Sequence, residues 1–152
     1  MNANDALDKW EELLEKAYNN RPQNESYEDF LDSLPTVERH AVLLGTMDGQ
    51  VKNGGWKQWV GNGYATQLQM VLRVLKQMGT DSAQKVVGML RKLAPYIDSE
   101  MENRGTFHRY WKNGDGPDED FLSALDDEYY ALDEAFEKEV IAYLESFSPS
   151  EK

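Results

Sequence analysis

The residues of this chain that could do chemistry are its carboxylates. Its 152 residues hold 28 Asp and Glu against 16 Lys and Arg, a formal net charge of −12, with two His and no Cys. Without Cys there are no disulfides, thiol nucleophiles or Cys-based zinc sites. His40 follows Glu38-Arg39, and His108 lies among Phe107, Arg109, Tyr110 and Trp111. Neither belongs to an HExxH or His-rich pattern, so each reads as a packing or surface residue rather than a general base. No GxSxG elbow places a serine nucleophile, and Gly61-Asn62-Gly63 alone makes no phosphate loop. The run Asp115-Gly116-Pro117-Asp118-Glu119-Asp120 invites a calcium reading. An EF-hand loop needs Gly at its sixth position and oxygen ligands at alternating ones. Started at Asn113, it has Pro117 fifth and Asp118 sixth; started at Asp115, it has Pro117 third and Asp120 sixth. The sequence therefore assigns no catalytic residue, no metal and no cofactor. Exposed carboxylates stay ionised and make poor general acids, but they attract cations well.

The charge is segregated. Residues 1–40 carry −6, residues 41–100 carry +3, and residues 101–152 carry −9. Between Asp115 and Glu139, 11 acids face the single base Lys138. Solubility alone does not require this, because interspersed charges serve as well. The excess repels phosphates, so nucleic acid and anionic lipid are disfavoured as direct partners, and a basic protein is favoured. The first residues show no basic-then-apolar leader, and no run approaches the roughly 20 apolar residues of a membrane span. A cytoplasmic location is expected.

The elements that must position these acids read as helices. Apolar residues recur with helical period almost throughout, which predicts an all-α, single-domain bundle of about six to eight helices over residues 1–152. A first helix over about residues 4–20 puts Leu7, Trp10, Leu13, Leu14 and Ala17 on one face, with Asn4 or Asp5 as its cap. It carries the acids Asp8, Glu11, Glu12 and Glu15 on its other faces. Ser26 followed by Asp29 suits the start of a short helix, and Pro35 suits the first turn of the next. Further helices are expected around Leu68–Leu75, closed by Gly79, and from Asp81 or Ser82 to Leu93. Residues 96–103 give a weaker helical pattern, and residues 113–117 a loop.

The last helix is expected to run unbroken from Phe121 to Phe147, with Leu125, Tyr129, Leu132, Phe136 and Val140 on its buried face. On that wheel Glu119, Asp126, Asp133 and Glu137 lie at about 80–120° from Leu125, and Asp120, Asp127 and Glu134 at about 180–220°. Two acid rows then repeat every seven residues, roughly 10 Å apart along the axis. Such a charge run is often only a solvated face. The early acids also suit the helix dipole.

The most distinctive stretch is Asn53-Gly54-Gly55-Trp56-Lys57-Gln58-Trp59-Val60-Gly61-Asn62. Gly54 and Gly55 permit a sharp turn with a left-handed residue. Trp56 and Trp59 are three apart and can bury together, while Asn53, Gln58 and Asn62 can bond freed backbone groups. The reading is a structural knot that stops one helix and reverses the chain before the next. This motif, preceded by Asp48-Gly49-Gln50-Val51 and followed by Tyr64-Ala65 and Met78-Gly79-Thr80, resembles the bacterial DNA mimic protein 19-like family. The likeness is strongest over about residues 37–80. Gln50 departs from the Glu expected before Val-x-Asn-Gly-Gly. The resemblance implies an all-helical fold, and for some members an acidic surface that imitates DNA phosphates and occupies a DNA-binding protein.

The combined expectation is a binding protein, not an enzyme. Glu119, Asp120, Asp126, Asp127, Asp133, Glu134 and Glu137, joined by Asp8, Glu11, Glu12 and Glu15, are the expected contacts to a basic regulator, nucleoid protein or nuclease. The alternative is an immunity-type inhibitor of one basic toxin or nuclease. A small enzyme built on His40 or His108 is the third reading. The aromatic content also allows a homodimer.

Overall fold

Among the described residues, amphipathic periodicity is realised in seven α-helices. The computed structural model describes residues 8–19, 21, 25–97, 111 and 116–147. The first helix, α1 (Lys9–Asn19), buries Trp10, Leu13 and Ala17. Asp8 caps it, its Oδ1 accepting the Glu11 N–H at 2.8 Å. The expected caps Asn4 and Asp5 lie outside the described residues. The helix packs tightly on α3 (Thr36–Gly61), where Gly45 makes the room. A Cβ at Gly45 would stand 2.9 Å from Leu14 Cδ2. Trp10 Nε1–H donates to the Ala41 carbonyl at 2.9 Å, which satisfies the one polar atom of a buried ring.

The short helix α2 (Tyr27–Ser33) starts as its sequence suggests, with Ser26 Oγ accepting the Asp29 N–H at 3.1 Å. Its end is tied by Arg39, whose guanidinium donates to the carbonyls of Leu31, Asp32 and Leu34. Those are carbonyls that a helix terminus leaves without helical partners. After α3 come a 3₁₀ turn at Tyr64–Gln67, then α4 (Leu68–Met78) and α5 (Asp81–Leu93). Gly79 ends α4 in the left-handed conformation at φ 67°, as its position predicts. Ile97 and Trp111 form an isolated antiparallel bridge; no strand occurs among the described residues. The expectation for residues 98–103 lies outside them.

Two expectations are corrected. First, the Gly pair does break the helix, as expected, but no loop follows it. A single residue, Gly55, leaves helical geometry at φ 80° and ψ 179°, and the helix resumes at once. The chain turns again at Gly63, left-handed at φ 85°, where the 3₁₀ turn begins. Second, the long last helix is two, α6 (Glu119–Tyr130) and α7 (Glu134–Glu145). The chain turns at Ala131–Asp133, and Asp133 takes φ 49°. Asp is among the few side chains that tolerate positive φ, so no Gly or Pro marks the break. One helix over those 27 residues would reach roughly 40 Å, longer than a small domain is wide. Broken, α6 packs on α3 and α5, while α7 packs on α1, α3 and α5. Leu132 sits buried in the turn between them.

The core runs through α3, whose Leu44, Met47, Val51, Trp56 and Trp59 are buried. It meets Leu75 of α4, Leu90 of α5, and Val140 and Leu144 of α7.

Candidate functional site

The Gly-Gly-Trp stretch is a stapled kink. Breaking the helix at Gly55 frees the Trp56 N–H from the α3 ladder, and Asp126 of α6 accepts it at 2.9 Å. A Cβ at Gly55 would collide with the Asp126 carboxylate, which is why this position takes no side chain. Amides on the two sides of the break tie it together. Gln50 Oε1 accepts from Gln58 Nε2 at 3.1 Å and from Asn62 Nδ2 at 2.7 Å. Asn53 Nδ2 donates to Gln58 Oε1 at 3.2 Å. Gly54 leaves room for Gln58, since a Cβ there would run into that side chain. Below the amides, Trp56 and Trp59 pack edge to face at 5.7 Å, and Tyr129 packs on Trp56 at 5.5 Å. The aromatics are core, and a neutral Gln at position 50 does the accepting.

Asp126 therefore stands apart from the other expected surface acids. It is half-buried and turned toward α3. Burial raises its carboxyl above the usual range and neighbouring Asp127 adds to this, against the opposing hydrogen bond from Trp56. On α6, Glu119, Asp120 and Asp127 are exposed. Asp133 is exposed in the turn, and Glu134 is exposed with Lys138 at 3.7 Å. On α1, Glu11, Glu12 and Glu15 are exposed, while Asp8 is half-buried at its cap. The two continuous rows do not exist, because their members belong to separate helices.

The fold instead brings acids from the two ends of the chain together. A depression of about 180 Å³ between α1, α3 and α7 is lined by Asp8, Glu11, Asp48, Lys52 and Glu137, over Trp10 and Leu14. A second, of about 140 Å³, is lined by Asp133, Glu134 and Glu137 with Tyr129 and Tyr130. Asp48, Lys52 and Glu137 border both. Glu12, Glu15, Glu119, Asp120 and Asp127 line neither.

Asp48 is the residue that sequence reasoning missed. The Tyr129 hydroxyl donates to its Oδ1 at 2.5 Å, and Lys52 Nζ lies 3.1 Å from its Oδ2. The i,i+4 pairing with Lys52 was the one visible hint. Burial and the facing carboxylate push the Tyr129 phenol well above its ordinary value, so it stays a donor.

Other acids have structural partners. Glu139 accepts from the Ser82 N–H at 3.1 Å and the Ala83 N–H at 3.3 Å at the start of α5. Burial works to raise its carboxyl, but the neighbouring Thr80 hydroxyl and the hydrogen bonds from Ser82 and Ala83 outweigh it and the net shift is downward. Glu38 is buried, 3.4 Å from Lys16, and Glu128 pairs with Lys92 at 2.8 Å. His40 stacks on Tyr143, bonds its hydroxyl at 2.9 Å and meets the edge of Phe147. Burial, with Arg39 nearby, lowers its pKa to about 4. It is a neutral packing residue. His108 lies outside the described residues, among which no group of three or more His, Cys, Asp or Glu is placed to hold a metal ion. No helix among them is long and apolar enough to cross a membrane.

The family model of the DMP19-like protein matches residues 32–147. This chain belongs to the DMP19-like family. The match takes in α3 to α7, well beyond the stretch around the motif. In this DMP19-like chain the kink, Asp48 and the acids of α6 and α7 lie inside the matched span. The acids of α1 lie before it. No curated protein and no solved structure matches the chain.

Proposed function

We propose that this DMP19-like protein acts by binding, as an acidic DNA mimic that sequesters a basic DNA-binding protein. One observation carries the reading. Asp8 and Glu11 at the start of α1 share a surface with Asp48 of α3 and with Asp133, Glu134 and Glu137 of the α7 end, around two depressions that Lys52 also lines. A protein that grips phosphates with Lys and Arg would meet carboxylates already held by a rigid scaffold, so little ordering cost falls on binding. Glu119, Asp120 and Asp127 of α6, with Glu12 and Glu15 of α1, extend the negative field around that surface. Asp126 is not counted among the contacts, since its carboxylate serves the kink. Family membership supports the same class of partner.

The test is charge reversal on the surface with the kink left intact. A Glu11→Lys, Glu134→Lys, Glu137→Lys variant is expected to lose capture of basic DNA-binding proteins from lysate and to keep wild-type helicity by circular dichroism. Unchanged capture by a folded variant would sink the proposal.

A further inference from the structure

We propose that the groove between α4 and α5 is a binding site for a small linear polyphosphate anion, either free or carried by a nucleotide. The two helices are joined only by Gly79 and Thr80, so they run side by side as a hairpin. Between them lies a depression of about 460 Å³, lined by Lys76, Gly79, Gln84, Val87 and Arg91. It is larger than either depression on the acidic side, and its volume is in the range of small-molecule sites. Both of its charged linings are cations. Lys76 and Arg91 are exposed, and neither is in an ion pair or hydrogen bond among the described residues. In a chain with 28 acids and 16 bases, a base out of reach of any carboxylate is the unexpected case. Lys52, Lys92 and Lys138 each have one. Here two such bases border one depression, and their mutual repulsion is relieved when an anion enters.

The spacing selects the anion. Lys76 is one turn from the closed end of the hairpin, where Gln84 Nε2 donates to the Gly79 carbonyl at 3.1 Å. Arg91 lies seven residues beyond Gln84 on the same face of α5, roughly 10 Å along its axis. A single phosphate or carboxylate engages one end, whereas a chain of phosphates carries charge along the whole groove. Lys supplies such oxygens with a point charge, Arg with a fork of donors, and Gln84 with the N–H not used on Gly79. Gly79 puts no side chain in the way, and the buried Val87 adds no charge of its own.

The experiment is a calorimetric titration of the full chain with sodium tripolyphosphate, at low salt and with EDTA present. Saturable binding of one anion per chain is expected. Lys76→Gln and Arg91→Gln are each expected to weaken it about five- to tenfold, the scale of one charge-assisted contact. Lys85→Gln makes the same change in net charge on the exposed side of α5, outside the groove, and is expected to leave binding within about twofold. All three residues are exposed, and circular dichroism checks that each variant keeps its helices. No saturable binding to the wild type would overturn the proposal. So would equal weakening by all three variants, which would make the effect one of net charge alone. A penta-glutamate peptide binding as tightly as tripolyphosphate would overturn the phosphate class. ATP in place of tripolyphosphate separates the two sources: tighter binding assigns a nucleotide, and equal or weaker binding the bare phosphate chain. The mimic reading stands or falls separately, since none of its acids lines this groove.

Discussion

His40 shows how a titratable side chain is made part of the packing. Stacked on Tyr143 and set edge to face with Phe147, with its pKa lowered to about 4, it is kept neutral in the folded chain. A depressed His pKa means that the unfolded chain binds the proton more readily. The His40 contribution to stability is therefore fully present above about pH 6.5 and is lost as pH falls through about 4. His40→Phe keeps an aromatic ring there and removes the proton. Denaturant melts of the variant are expected to show a flatter decline in stability over that pH window than the wild type. That His40 packs was legible in Glu38-Arg39-His40; its partner Tyr143 was not, because it stands 103 residues away on α7. The motif was more readable. Asn53, Gln58 and Asn62 do bond across a turn, and Trp56 and Trp59 do bury together. Asp126, spaced like a surface acid, could not be recognised as the acceptor for Trp56 without the fold.

At the scale of elements, the kink in α3 and the break between α6 and α7 are joined problems. Each puts buried faces where one straight helix could not. Helix periodicity survives a break of one to three residues almost unchanged, so the pattern of Leu125, Tyr129, Leu132 and Phe136 looked continuous. The helices themselves, their caps at Ser26 and Gly79 and the start of α5 were readable, since each depends on local chemistry. The joint between α3 and α6 gives a prediction. Asp126→Ala leaves the Trp56 N–H with no acceptor in a half-buried position, which costs about 1–3 kcal/mol. Asp126→Asn, which keeps an oxygen there and sheds a half-buried charge, is expected to lose less. Thermal melts of the two variants check the order. Neither change should weaken partner capture as the Glu11, Glu134, Glu137 reversal does.

At the scale of the whole molecule, the net charge of −12 is less informative than its placement. The helical hairpin α4–α5 holds Arg73, Lys76, Lys85, Arg91 and Lys92 against the single acid Asp81. The acids concentrate on α1, α2, α6 and α7. Among the described residues, charge is thus segregated by element. Segregation along the chain was visible from the start, but its meeting in space was not, because α1 and α7 come together only across α3. A surface of this kind attracts its partner through interactions that mobile ions screen over roughly 8–10 Å. Affinity for a captured basic protein is therefore expected to fall at least about tenfold between roughly 50 and 200 mM salt, with duplex DNA displacing the partner. Titrations at several ionic strengths check it, and a flat dependence would contradict the mimic reading.

The bond from Trp56 to Asp126 spans 70 residues of sequence. It cannot form until α6 has docked, and closing so long a loop is entropically slow. The two arms of α3 must then find their final angle late, after their own turns have formed. Folding of the chain would end, in that order of events, with the setting of a joint rather than the growth of a helix.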